Sequence, residues 1–441
     1  MGTERKELRE LSRKYPKLET LMNRVDYEAL KEEHRRQSNR KAVGADGTTK
    51  EEYGRELDAN LADLLTRMRT FSYRPQPVRR TYIPKANGKM RPLGIPAYED
   101  KLVQGAMACI LNDIYEPRFL DCSYGFREKR SAHDAIRAIN QTIMTKKVNY
   151  ILDCDIKGFF DNVDHKWLMK FLENDIADQN FLRYVARFLK AGIMENGTVS
   201  ESIVGTPQGG LISPVLANVY LHYVLDLWFE RAVKKALKGE AYLVRFADDF
   251  IILFQYEEEA EAVYKALVER LEKFGLRVEK DKTHILPFGR FKGNKETFDF
   301  LGFTHYNSIT KTGKYTVGHR VSKKKKKMFK ANMLAWIKSN RQMNAIEFLQ
   351  KLNVKLTGSL RYYGISGTFL DIRSLHRFAC FLAYKWLNRR SQRRSFSFEK
   401  FIVVWNRLVK RPAIYVDIWS QNRDSGEPYA GNLHVRFLEG S

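Results

Sequence analysis

Apolar positions recur at helical spacing through residues 1–70, change to strand-like runs over 77–96, return to helical spacing, and contract into two short apolar runs at 150–156 and 242–254. Period-2 and continuous apolar runs bounded by turn residues indicate strands, and the 3.6 period indicates helices. On this pattern the first 70 residues are helical, broken by the turn-rich Val43-Gly-Ala-Asp-Gly-Thr48. The segment 77–96 is a hairpin turning at Ala86-Asn-Gly-Lys89. Helices follow around 99–116 and 131–147, then the 150–156 strand, more helix to about 192, a glycine-rich loop at 205–214 and an amphipathic helix over 215–235. Beyond residue 315 the pattern is helical and basic.

The 242–254 run is Tyr-Leu-Val-Arg-Phe-Ala-Asp-Asp-Phe-Ile-Ile-Leu-Phe, two apolar strands meeting at Ala247-Asp248-Asp249. Two like charges about 4 Å apart repel by roughly 4 kcal/mol at an effective dielectric near 20, so the pair calls for a cation. The earlier strand ends at Asp155 and places Asp153 on the same face. If this strand pairs beside the hairpin, Asp155 approaches Asp248. A set of oxygen ligands without cysteine or histidine suits Mg²⁺, with Mn²⁺ as a substitute, in two-metal phosphoryl transfer.

Charge indicates the substrate class. Lys and Arg number 77 against 52 Asp and Glu, a net charge of +25 over 441 residues, which points to a polyanionic partner. The cations cluster at Lys323–Lys327 and at Arg389-Arg-Ser-Gln-Arg-Arg394. A hydrophobic content of 44% supports a sizeable core. No apolar run approaches the roughly 18 residues of a membrane span, and the charged N-terminal segment lacks a signal-peptide core, so a cytoplasmic protein is expected. Cys109, Cys122, Cys154 and Cys380 form no Cys-x-x-Cys pair, which argues against zinc and disulfides.

Lys85 and Arg91 lie on the two arms of the 77–96 hairpin, suited to gripping a triphosphate as a point charge and a fork. Gln208, in a loop whose glycines admit a nucleotide, offers a donor and an acceptor. Leu356–Gly364 and Lys385–Ser395 interleave cations with aromatics. In these segments Tyr362, Tyr363 and Trp386 are read as packing residues, and Arg389, Arg390, Arg393 and Arg394 as contacts to nucleic-acid phosphates.

From about Val43 to Arg411 the chain resembles the group II intron-encoded reverse transcriptases with an attached maturase domain. The resemblance rests on Ile83-Pro-Lys, Arg91-Pro-Leu-Gly-Ile-Pro96, Ser123-Tyr-Gly-Phe-Arg127, Asp155-Ile-Lys-Gly-Phe-Phe-Asp161, Pro207-Gln-Gly-Gly210 and Phe246-Ala-Asp-Asp249. It implies an α+β, right-hand polymerase: fingers and palm over 1–305, with an antiparallel palm sheet and an N-terminal extension (1–70), a helical thumb and maturase domain (306–412), and a short tail (413–441). It further implies two Mg²⁺ ions bridged by Asp155 and Asp248, with Asp249 as third acid and the Ile156 carbonyl as an extra ligand. Phe160 falls at the position that gates against a ribose 2′-hydroxyl, so the product would be DNA. Lys85, Arg91 and Gln208 would hold the incoming dNTP, Lys282 would act as general acid, and Phe300-Leu-Gly-Phe303 would hold the primer end. The implied partners are intron RNA, an RNA template and a DNA primer, in a bacterial cytoplasm with nucleoid association during synthesis. Phe246 stands where these proteins usually carry Tyr, at the cost of one hydrogen bond. No histidine and cysteine set of a C-terminal endonuclease follows Cys380. Two alternatives are an RNA-binding splicing factor with a vestigial polymerase and a free-standing reverse transcriptase in defence or repair.

Overall fold

The computed structural model describes residues 2–84, 90–195, 198–200, 205, 209–292, 295–390 and 396–419. Its strands are β1 (Val78–Pro84), β2 (Met90–Ile95), β3 (Tyr150–Asp155), β4 (Ile193–Glu195), β5 (Thr198–Ser200), β6 (Ala241–Phe246), β7 (Asp249–Phe254), β8 (His284–Pro287), β9 (Thr297–Phe300), β10 (Phe303–Ile309) and β11 (Tyr315–Val321). They form three sheets, ordered β2-β1-β4-β5, β6-β7-β3-β8 and β11-β10-β9. The pairings are antiparallel except β1 with β4. The result is a mixed α/β body with antiparallel sheets and a helical C-terminal region.

Strand alternation divides the β6-β7-β3-β8 sheet between two cores. Leu152, Cys154, Leu243, Phe250, Ile252 and Phe254 enter the large core built with the helices before residue 275. Ile151, Val244, Ile251 and Leu253 point the other way, against Ala135, Ile139 and Ile143 and against Phe298, Phe300 and Val317 of the third sheet. A sheet covered on both faces explains why its strands read as apolar runs rather than as a strict alternation.

Helix Ala132–Thr145 joins the parts. Ser131 and Asp134 close a capping box at its start. Its Ile139 and Ile143 pack on the sheet, while Ile136 belongs to the C-terminal core with Phe303, Val321, Leu356 and Trp405. His133 Nε2 donates to the Tyr362 carbonyl at 2.7 Å, and the Tyr362 hydroxyl donates to the Leu301 carbonyl at 2.8 Å.

The C-terminal region consists of helices Lys323–Asn340, Ala345–Tyr363, Phe369–Leu387 and Phe398–Leu408. The position 305/306 expected as a boundary falls within β10, and the helices begin only at Lys323. Part of the expected tail is docked: Val416 bridges to Ile365, and Ile418 is fully buried. The single helix expected over 215–235 is interrupted by π-helical turns at His222–Asp226 and Phe229–Val233. Such turns shift the side-chain register and are common near functional sites. Among the described residues, no helix is long and apolar enough to cross a membrane.

Ile251 has no solvent exposure. Ile251→Ala should cost about 2–5 kcal/mol through lost burial and an unfilled cavity, measurable as a lower denaturation midpoint with an unchanged slope.

Candidate active site

The β6–β7 hairpin closes through Ala247 and Asp248, with Phe246 paired to Asp249. Ala247 adopts φ +57°, a conformation that a two-residue hairpin turn favours and that usually falls to Gly or Asn. The surrounding structure holds it there. The Arg245 guanidinium donates to the Ala247 carbonyl at 3.0 Å, and a Cβ on Gly125 would lie 2.4 Å from the Ala247 nitrogen. Gly125 is therefore required by close backbone approach rather than by its φ.

Arg245 and Asp226 have no exposure at all. Arg245 donates through Nε to Asp226 Oδ1 at 2.7 Å, through Nη1 to Asn218 Oδ1 at 3.0 Å and through Nη2 to the Ser123 hydroxyl at 2.8 Å. Asn218 passes the constraint on, donating to the Gly125 carbonyl at 2.7 Å. The backbone of the same segment is pinned as well: Tyr124 N–H donates to Arg245 O and Arg245 N–H to Cys122 O, both at 2.8 Å. The 122–125 loop, the helix at 213–226 and the hairpin turn are thus tied to one buried guanidinium.

Across the β3–β7 ladder Asp155 stands opposite Asp249, and Asp153 lies one pleat behind on the same face. Asp249 is exposed at the start of β7, yet the surrounding protein displaces much of its water. That desolvation, then the charges of Asp248, Asp155 and Asp153, push its carboxyl up to about 7. Asp248 is raised mainly by desolvation and then by Asp155, partly offset by a backbone hydrogen bond and by Arg91 and Arg245. Burial, with Asp155 and Asp299, lifts Asp153 to about 7. Lys282 donates to Asp155, and this hydrogen bond outweighs desolvation to hold its ammonium above the usual lysine range.

Among the described residues, no three His, Cys, Asp or Glu side chains gather closely enough to hold an ion. The expected three-carboxylate cluster is not assembled, and Asp155 is engaged by Lys282 instead. The donor chemistry nevertheless fits a hard divalent cation, because the donors are carboxylate oxygens whose charges act on one another, and added positive charge would favour their ionised forms. Ile156 fits too. The hydrogen bonds flanking it come from its neighbours, Lys157 N–H to Arg277 O and Glu279 N–H to Asp155 O, both 2.8 Å, so its own carbonyl faces away from Val278 toward the Asp248 side.

Arg91 lies on β2 and its charge acts on Asp248, so this hairpin arm overhangs the acids. Phe160 sits half-buried in the turn of helix Phe159–Asn162, edge-on to Phe159 at 5.3 Å. Lys85 and Gln208 lie outside the described residues, but the glycines flanking Gln208 are placed. A Cβ on Gly205 would lie 3.0 Å from the Phe160 carbonyl oxygen, and one on Gly209 would lie 2.5 Å from the Gly94 oxygen of β2. Gly205 therefore lies against the Phe160 turn, and Gly209 against the arm bearing Arg91. Phe300-Leu-Gly-Phe303 forms the β9–β10 turn, with Leu301 at φ +50° and Gly302 at φ +86°.

Arg389 is exposed. Arg390 is instead a structural clamp, donating to the Leu387 carbonyl at 3.0 Å and the Met343 carbonyl at 2.8 Å. Arg393 and Arg394 lie outside the described residues. The sequence reading missed Arg245, Asp226, Asn218, Ser123 and Lys325; the last projects over Gly302 and acts electrostatically on Asp249. One signal was available. A cation in the middle of the apolar Tyr242–Phe246 strand must find a buried partner.

The chain belongs to the reverse transcriptase (RNA-dependent DNA polymerase) family, whose profile matches residues 83–305, just over half of its 441 residues. It is 32% identical over 322 residues to Protein YkfC of Escherichia coli, covering 66% of this chain and 83% of that protein. It is 44% identical over 175 residues to Group II intron-encoded protein LtrA of Lactococcus lactis, covering 38% of this chain. That match spans only 29% of LtrA, less than a third of its length. A 97-residue stretch is 30% identical to Nuclear intron maturase 1, mitochondrial, of Arabidopsis thaliana, covering 22% of this chain and 13% of that protein.

Two predictions follow from this geometry. Arg245→Met strands a buried carboxylate at Asp226 and should destabilise the fold by about 3–5 kcal/mol in denaturant unfolding, with Arg245→Lys intermediate. Asp153 has a folded pKa near 7, above the ordinary carboxylate value, so its ionisation costs stability as pH rises through that interval and the full cost is present above it. Asp153→Asn should therefore raise the thermal midpoint at pH 8 in chelator and leave it unchanged below about pH 4.

Proposed function

We propose that the chain is an RNA-directed DNA polymerase of the group II intron type, copying RNA into DNA and binding intron RNA to assist splicing and mobility. The observation that carries this reading is the register of Asp155 opposite Asp249, with Asp248 on the adjoining turn, inside the span that matches the family. On this reading residues 1–305 are fingers and palm, 306–412 are thumb and maturase with the thumb's helices beginning at Lys323, and 413–441 are a short tail. The protein works in a bacterial cytoplasm, associated with the nucleoid during synthesis.

Asp155, Asp248, Asp249 and the Ile156 carbonyl would hold two Mg²⁺ ions. When bound, these supply activation of the primer 3′-hydroxyl and charge neutralisation at the leaving pyrophosphate. The protein's own groups do the positioning. Arg91, with Lys85, orients the triphosphate from the overhanging hairpin. Phe160 and the Gln208 loop border the sugar, and the bulk of Phe160 excludes a 2′-hydroxyl, which selects deoxynucleotides. Lys282 is held protonated by Asp155 and so arrives with a proton to give to the leaving group. The Leu301–Gly302 turn, anchored by Tyr362, seats the primer end.

Asp248→Asn should lower primer extension on an RNA template by about 10²–10³-fold or more while RNA affinity is retained. Near-normal extension by that variant would refute the assignment of the acids.

A further inference from the structure

At the far end of the C-terminal helices, three cations gather on one indole. Lys338 Nζ lies 5.1 Å from the centre of the Trp386 ring, and the guanidinium carbons of Arg341 and Arg389 lie 5.5 and 5.7 Å from it. They come from separate places in the chain: Lys338 and Arg341 end the helix Lys323–Asn340, and Arg389 follows the helix Phe369–Leu387. Among the described residues none of the three forms an ion pair, and the Trp386 Nε1 is buried without a hydrogen-bond partner.

Helix C-termini attract cations, and this could account for part of the cluster. Each terminus supplies about half a negative charge, so two of them leave an excess of about two positive charges. The carbonyls at these termini are also already engaged. Asn340 donates to Trp336 O at 2.8 Å, and Arg390 takes Leu387 O and Met343 O. Cation–π attraction does not remove the mutual repulsion of three cations around one ring. What the cluster lacks is an anion.

We infer that Lys338, Arg341 and Arg389 form a phosphate site for the backbone of a bound nucleic acid. This rests on the nucleic-acid reading of the chain and assigns that role to particular residues. The site is separate from the polymerase cleft: Lys325 reaches toward the cleft from the same helix, and thirteen residues at 1.5 Å each put Lys338 about 20 Å away along it. Three cations lie within 6 Å of the indole centre, so the site presents positive charge to a ligand rather than a bare ring. The contact is therefore to phosphate and indifferent to sequence.

The test is equilibrium binding in the absence of dNTPs, across a salt series, by the triple variant Lys338→Gln, Arg341→Gln, Arg389→Gln. A control triple, Lys166→Gln, Lys265→Gln, Lys273→Gln, removes equal charge from other exposed positions. One arm uses a hairpin RNA of arbitrary sequence, the other an RNA template annealed to a DNA primer. The site variant should bind at least about tenfold more weakly, with a log affinity against log salt slope shallower by about two, while the control changes little. A loss on hairpin RNA assigns the phosphate to RNA held outside the cleft, and a loss confined to the primed template assigns it to the product duplex; either supports the site. Affinity and slope matching the control in both arms would overturn it. Catalysis is not read in this assay, so an inactive polymerase would count against the proposed function and leave this result standing.

Discussion

The Arg245–Asp226 pair is the constraint on which the site depends. Two ions removed from water cost several kcal/mol each, and the pair persists because every direction around the guanidinium has an acceptor: a carboxylate, an amide oxygen, a hydroxyl and the carbonyl of the turn. That last contact holds Ala247 at φ +57° against its intrinsic preference. Asp248 is the next residue. The backbone from which its carboxylate projects is thus held by a guanidinium buried beneath the turn, and the same positive charge favours its ionised form.

Above this anchor the acids are arranged by strand register. Directly opposite positions on adjacent antiparallel strands share a face, so pairing Asp155 with Asp249 brings together two groups separated by 94 positions in the chain. Burial, reinforced by the charges of their neighbours, raises Asp153, Asp248 and Asp249, and the cations that act on the acids, Lys282, Arg91 and Lys325, come from three different parts of the fold. A centre of this kind is built to gain stability from added positive charge.

Helix Ala132–Thr145 couples the acidic face to the C-terminal helices, since one of its faces covers the sheet and Ile136 and His133 engage the other side. The five-lysine block at the start of helix Lys323–Asn340 illustrates how neighbours in sequence diverge in role. Lys326 pairs with Asp371 at 2.9 Å, while Lys325 lies over Gly302 facing the acids.

Much was legible in the sequence because local patterns carry it. Both strands of the Asp248 hairpin, the strand ending at Asp155, and the 99–116 and 131–147 helices all appear within a residue or two of their expected bounds. These depend on side-chain period and turn chemistry, which act over a few residues. The π-helical turns, the docking of Val416 and Ile418, and the use of Arg390 as a clamp were not legible, since each depends on a distant partner. The sequence by itself determined that paired carboxylates sit at strand ends in a strongly basic chain. Only the tertiary structure decided which acid faces which, that Lys282 engages Asp155, and that Arg245 holds the turn. Those outcomes follow from register and burial, which bring together residues that no local rule connects.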